Sequence, residues 1–215
     1  MIPTQVLPLQ LPNTSVLNHK AAFGTVDETT ANTLGKIAEA RQNIIIASDR
    51  AYSDSAIRGV GQYLPSLFGL MDKIKEFKPE NTKKLKIMWS STLSERNKDK
   101  QLSCTDWNYE VTQVLMLYAL LHRKCAAEKL SVLSNETFAE GSKEVCKYLQ
   151  TAAGVFRYVR DEIISEWAVD PKQLKIPEAF GDSFLILENI CTFESQQVII
   201  RKACMSKAKP IILAT

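Results

Sequence analysis

KEVCKYLQTAAGVFRYVRDEI, residues 143–163, is the stretch that decides the fold class of this chain. Val145, Tyr148, Leu149, Ala152, Phe156, Val159 and Ile163 return at steps of three and four, the period of an α-helix with one face turned to a core. Just upstream, Thr137 and Glu140 form T-x-x-E, in which hydroxyl and carboxylate can each satisfy a free backbone N–H at a helix start. Ala152, Ala153 and Gly154 set three small residues together, which favours tight helix packing over a ligand groove.

The neighbouring segments extend the helical pattern in both directions. Between Trp107 and Leu121 apolar side chains occupy almost every side of a helix, so this helix is expected to be enclosed by others. Upstream, Leu34, Ile37, Ala38, Arg41, Ile44 and Ile45 form an amphipathic run from Asp27 to about Ala47. A second run, residues 53–77, aligns Ile57, Val60, Leu64, Leu67, Phe68, Met71 and Ile74, and Gly59, Gly61 and Pro65 inside it predict a kink or break near Tyr63. Residues 84–90 alternate in the manner of a half-buried strand, with Leu85, Ile87 and Trp89 inward; no other stretch reads clearly as a strand. SERNKDKQ, residues 94–101, reads as a solvated loop. Before residue 27, Pro3, Pro8 and Pro12 interleave with aliphatic residues, which predicts an extended arm over residues 1–26 lying on the remainder, residues 27–215.

Downstream, a loop between Pro171 and Pro177 precedes a helix over roughly residues 182–205, with Phe184, Leu187, Ile190, Cys191, Glu194 and Val198 in step. Pro210 suits the first turn of a further helix, and Thr215 follows so soon after it that a truncated product is the expectation. The fold class is therefore mainly α, with a small sheet near residues 84–90.

Composition narrows the function. A 45% hydrophobic and 24% charged chain is ordinary for a folded protein, and a net charge of +3 without a concentrated basic face gives no call for nucleic acid. The five cysteines are odd in number and sit mostly in helical apolar patterns, as reduced cysteines of a cytoplasmic protein do. No segment has the apolar length of a membrane span. His122 and Cys125 lie three apart on one helix, but with no second ligand pair they read as packed core, so no metal is expected. No nucleophile elbow, zinc-protease or phosphate-loop motif occurs, which leaves an enzyme without a catalytic constellation and implies no cofactor.

The end of the last helix, QQVIIRKACMSKAKP (residues 196–210), mixes Ile199 with Arg201, Lys202, Lys207 and Lys209. Two readings stay open on pattern alone: a docking surface for an amphipathic helix with acidic flanks, or a solvated basic face over a buried isoleucine.

Four segments in order resemble the Bro-one-type domains of endosomal-sorting proteins, the Brox/ALIX-like family. They are KIMWSSTL (86–93), VTQVLMLYALLHRKCAAEKL (111–130), AEGSKEVCKYLQTAAGVFRYVRDEI (139–163) and FESQQVIIRKACMSKAKP (193–210), and the likeness spans most of residues 27–215. The resemblance implies a curved helical array with a tetratricopeptide-like helix-pair core, of which this chain carries the N-terminal part. It implies a non-enzymatic adaptor that binds the C-terminal amphipathic helix of an ESCRT-III subunit of the charged multivesicular body protein class. Its binding patch corresponds here to Lys147 and Lys202 as charge partners and Ile199 and Ile212 as apolar anchors. Tyr148, Leu149 and Phe156 would then face inward as scaffold. The C-terminal lipidation cysteine of Brox-like members is absent, Ile212 standing in its place, so association with endosomes is expected to be peripheral and through partners. The alternative is a generic helical-repeat scaffold with another protein partner.

Overall fold

The computed structural model describes residues 4–7, 9–17, 19, 23, 24, 26–48, 53–77, 86–94, 101–167 and 176–205. Helix α1, Glu28–Ser48, begins where Asp27 Oδ1 accepts the Thr30 N–H at 2.9 Å. That bond, joined by the Thr30 hydroxyl, satisfies an otherwise orphan amide and holds the Asp27 carboxyl below its usual range. Leu34, Ile37, Arg41 and Ile44 form its buried stripe.

Helix α2, Ser53–Phe77, runs unbroken through Gly59, Gly61 and Pro65, so the break anticipated near Tyr63 does not occur. A side chain at either glycine would meet nothing within 4 Å, which places both on the open side, where missing contacts strain nothing. The buried face is also rotated from the one read in the sequence. Val60, Leu67 and Met71 are buried as read, but Ala56, Tyr63 and Leu70 are buried with them, and Ile57, Leu64, Phe68 and Ile74 flank the face half-buried.

Strand β1, Ile87–Ser90, pairs antiparallel with β2, Gln101–Cys104, matching Ile87 to Cys104 and Trp89 to Leu102. The inward alternation of Ile87 and Trp89 is as the sequence indicated, whereas β2 is only four residues, half of them polar, whose first, Gln101, the sequence placed in a surface loop. Lys84 and Leu85, and residues 95–100 of that loop, lie outside the described residues. Thr14 bridges to Trp89, and Asn13 and Ser90 exchange hydrogen bonds, so the N-terminal segment runs along β1.

Helix α3, Trp107–Val132, starts on Asp106, whose Oδ1 accepts the Asn108 N–H at 2.9 Å. It is buried on almost every side down to Ala126, in line with its all-round apolar sequence. Helix α4, Phe138–Tyr158, keeps its stripe: Val145, Leu149, Ala152 and Phe156 are fully buried. Tyr148 departs from it, half-buried with its hydroxyl donating to Asp54 at 2.9 Å. The anticipated reciprocal cap does not form either. Thr137 already has helical backbone and its hydroxyl turns back to accept the Ser134 N–H at 3.1 Å. Ala152 and Ala153 are buried, but Gly154 is exposed with open space around it, so the alanines alone allow the close approach.

The stripe then continues through a widened turn, Val159–Ile163, in which the Ile164 N–H reaches back five residues to the Val159 carbonyl. This keeps Val159 and Ile163 inward. Helix α5, Gly181–Met205, packs antiparallel on α4: Arg157 binds Glu188 at 2.7 Å, the Cys146 thiol reaches the Ser195 carbonyl, and the Arg201 guanidinium lies 4.2 Å from the Phe138 ring centre. Phe184, Leu187, Cys191, Glu194 and Val198 form its inner face, and Ile190 is half-buried. The result is a mainly helical array with one small two-stranded sheet.

Two buried arginine–glutamate pairs cross the core. Arg41 Nε donates to Glu110 Oε1 at 2.7 Å, and Glu110 also accepts from Trp89 Nε1 at 2.7 Å and the Tyr63 hydroxyl at 3.3 Å. Burial alone would raise the Glu110 carboxyl pKa, but Arg41 and the Trp89 indole outweigh it and hold the value below the ordinary one. Arg41 further donates to the Ser15 carbonyl at 2.6 Å and to Thr14 Oγ1 at 2.7 Å. Arg123 Nη2 binds Glu194 Oε1 at 2.6 Å, joining α3 to α5, and both side chains also bond the backbone of Leu7.

Replacing Glu110 by Ala strands a buried guanidinium, and urea unfolding should show a loss of about 3–5 kcal/mol; the paired change Arg41→Met with Glu110→Leu should lose much less. A second expectation concerns pH. His19 is buried against Trp107, their ring centres 6.0 Å apart, and burial pulls its pKa from 6.5 to about 4. Between those values the unfolded chain binds a proton that the folded chain does not, so stability falls as pH drops from 6.5 to 4, by up to about 3 kcal/mol. Melting temperatures across this window should fall less steeply for His19→Leu than for the wild type.

Candidate partner-binding face

Once Val145, Leu149 and Phe156 of α4 are committed to the core, helical rotation fixes what remains outward. Cys146 points at α5 through the Ser195 carbonyl, and Lys147, about 100° further round, is exposed to solvent. On α5, burial of Glu194 and Val198 leaves Ile199 51% and Ile200 42% exposed, with Met205 open beyond them. Lys202 is half-buried. Arg201 is half-buried too, and its guanidinium over Phe138 fixes the end of α5 to the start of α4.

Of the four positions assigned from sequence, the structure thus presents Lys147 and Ile199 to solvent and Lys202 at the edge of the core, all on the adjoining helices α4 and α5. Ile212, with the helix start at Pro210, lies outside the described residues. Contacts between α4 and α5, among them Arg201 over Phe138 and Cys146 at the Ser195 carbonyl, set the outer sides of the two helices next to each other. Ile200 and Met205 are exposed apolar side chains of α5 as well, on other sides of the helix, and were not singled out in the sequence.

The remaining candidates resolve into packing. His122 stands edge-on to Tyr118 at 4.6 Å and beside Tyr148 at 5.6 Å, and burial lowers its pKa. Cys125 lies 3.5 Å from Asp54 Oδ1. Cys104, Cys125 and Cys191 are buried free thiols, Cys146 is half-buried, and Cys204 is exposed. No described helix is long and apolar enough to cross a membrane, and among the described residues no group of three or more His, Cys, Asp or Glu side chains is placed to hold a metal ion.

Comparison with known proteins places this geometry. The solved structure of ALIX in complex with the SIVmac239 PYKEVTEDL late domain superposes with a TM-score of 0.76 at 19% identity, over 97% of this chain and 30% of that one. An ALIX BRO1 CHMP4C complex gives 0.72 at 20% identity, over 99% of this chain and 60% of that one. Both likenesses concern the fold. In sequence, the pH-response regulator protein palA/RIM20 of Saccharomyces cerevisiae is 26% identical over 180 residues, which are 83% of this chain but 24% of that protein. The chain therefore spans about a quarter of that curated relative's length. The family model described as the BRO1-like domain matches residues 14–215, from the Thr14 that Arg41 grips through the five helices described above. A match of that extent, on a helical array of the same shape, makes this chain a member of the BRO1-like domain family.

Proposed function

We propose that this chain is an adaptor whose α4–α5 face binds the C-terminal amphipathic helix of an ESCRT-III subunit, of the charged multivesicular body protein class, in the sorting of cargo into multivesicular bodies. The observation that carries the reading is the half-exposed Ile199 on α5, an aliphatic side chain left in water on a helix that packs against the one bearing the exposed Lys147, with Lys202 half-buried three residues further along. An amphipathic helix with acidic flanks complements it: leucine- or methionine-type side chains cover Ile199, and carboxylates meet the lysines. The shared fold with the ALIX BRO1 CHMP4C complex supports the choice of partner. Ile212 is assigned to the same patch as a second apolar anchor. The role proposed is binding, with no catalysis, in the cytoplasm and at the endosome surface through the partner.

Burying Ile199 under a peptide contributes about 1.5–3 kcal/mol. Ile199→Asp should therefore weaken a fluorescent ESCRT-III C-terminal peptide by roughly 10- to 100-fold in anisotropy titrations, and Lys147→Glu with Lys202→Glu should weaken it less and flatten its salt dependence. Unchanged affinity in Ile199→Asp would place the site elsewhere, and a pull-down that recovers other partners and no ESCRT-III subunit would favour a general helical-repeat scaffold.

A further inference from the structure

A groove of about 400 Å³ lies between α1 and α2, where α1 begins and α2 approaches its end, on helices that do not contribute to the α4–α5 face. Its floor is Leu34, Ile37 and Leu70, with Phe23 at one edge. Lys36 and Lys73 line it, and among the described lining residues none is acidic. We propose that this groove is a second docking site, for a linear peptide segment that presents one bulky apolar side chain flanked by carboxylates.

The volume is that of a site for one large side chain with its neighbours, too small for the face of a whole helix. Desolvating an aromatic or leucine side chain against the apolar floor supplies the affinity, and the lysines select the charge of what surrounds it. Lys73 is bound to Glu76 at 2.7 Å, but both side chains are more than half exposed, so exchange of Glu76 for an incoming carboxylate costs little. Gly69 on the lining gives the groove its access. A Cβ built there meets nothing within 4 Å, so the position opens onto the groove and not onto a neighbouring helix. The same geometry supplies a clean plug, because leucine at that place enters empty space and suits a helix better than glycine.

The test uses the full chain and a labelled heptapeptide, Glu-Asp-Gly-Trp-Glu-Asp-Glu, with two controls: one in which lysines replace the acids, and one in which serine replaces the Trp. The acidic apolar peptide should bind saturably with a Kd below about 1 mM, and both controls should bind at least about 10-fold more weakly. Gly69→Leu should lose that binding while its melting temperature stays at or above the wild type. Lys36→Glu with Lys73→Glu should lose it independently, and Ile199→Asp should leave it intact. The proposal is overturned if the basic twin binds equally, if Gly69→Leu binds like the wild type, or if no saturable binding occurs. Loss in Ile199→Asp would likewise overturn it, by assigning the peptide to the α4–α5 face, and failure of the groove alone leaves the reading of that face untouched.

Discussion

Everything in the N-terminal half is arranged around one buried carboxylate. Glu110 is fully enclosed on α3, and a charge in that position is tolerable only when it is paired and its lone pairs are satisfied. Arg41 from α1, Trp89 from β1 and Tyr63 from α2 all converge on it. The stacking of Arg41 over Trp89, 5.5 Å from the ring centre, closes the cluster. Such a pair adds little stability over an apolar core of equal volume, yet it is demanding about geometry. Four elements must stand in one relation for Glu110 to be satisfied, and a slip of any of them leaves a charge uncompensated. Glu178, equally buried, does a smaller version of the same thing, accepting the Ser91 hydroxyl at 2.7 Å and the Thr92 N–H at 2.9 Å to hold the end of β1.

Much of the helical architecture was legible because burial on one side writes a period into the sequence. The stripes of α1, α4 and α5 could be read for most of their residues, with Ala38, Ile45, Tyr148 and Ile190 half-buried exceptions, and even Arg41 and Glu194 appeared on them as charges in apolar positions. A charge on a buried stripe announces a partner, but which partner was hidden. Glu110 and Arg123 sit on α3, whose apolar residues surround the whole helix and so carry no phase. Strand β2 escaped notice for a different reason: four residues with one aliphatic side chain hold no alternation, and pairing with β1 alone makes them a strand. At Thr137 the local hydroxyl had two amides within reach and took that of Ser134, a choice that the T-x-x-E spacing cannot express. The same limit applies at Pro65, where packing of Tyr63 and Leu67 on either side carries the helix through a residue that weakens it locally.

The candidate site was legible in part. Ile199 and Lys147 are exposed as a consequence of what their neighbours bury, which periodicity does specify. Their assignment to one patch came from the likeness to a family, since α4 and α5 are joined by a connection whose length says nothing about which faces align. The antiparallel packing of these helices, fixed by Phe138 against Arg201 and by Arg157 against Glu188, is what turns two separate sequence motifs into adjoining surface. The buried and exposed faces are thus divided between opposite sides of the same helices, so that core substitutions and surface substitutions can be separated in their effects.

The grip of Glu194 and Arg123 on Leu7 has a bearing on how the chain acquires its structure in time. The Leu7 N–H to Glu194 hydrogen bond closes a separation of 187 residues, and Arg123 reaches back 116 residues to the carbonyl of the same residue. During synthesis the first strand-like segment therefore emerges with half of its attachment still untranslated, and at ordinary elongation rates it waits roughly ten to forty seconds for α5. Thr14 and Ser15 can settle on Arg41 early, while Leu7 is fastened only after the last helix has packed. Closure of the N-terminus onto α5 is thereby a late, long-range event, and such contacts are the ones that slow a fold otherwise dominated by local helix pairs.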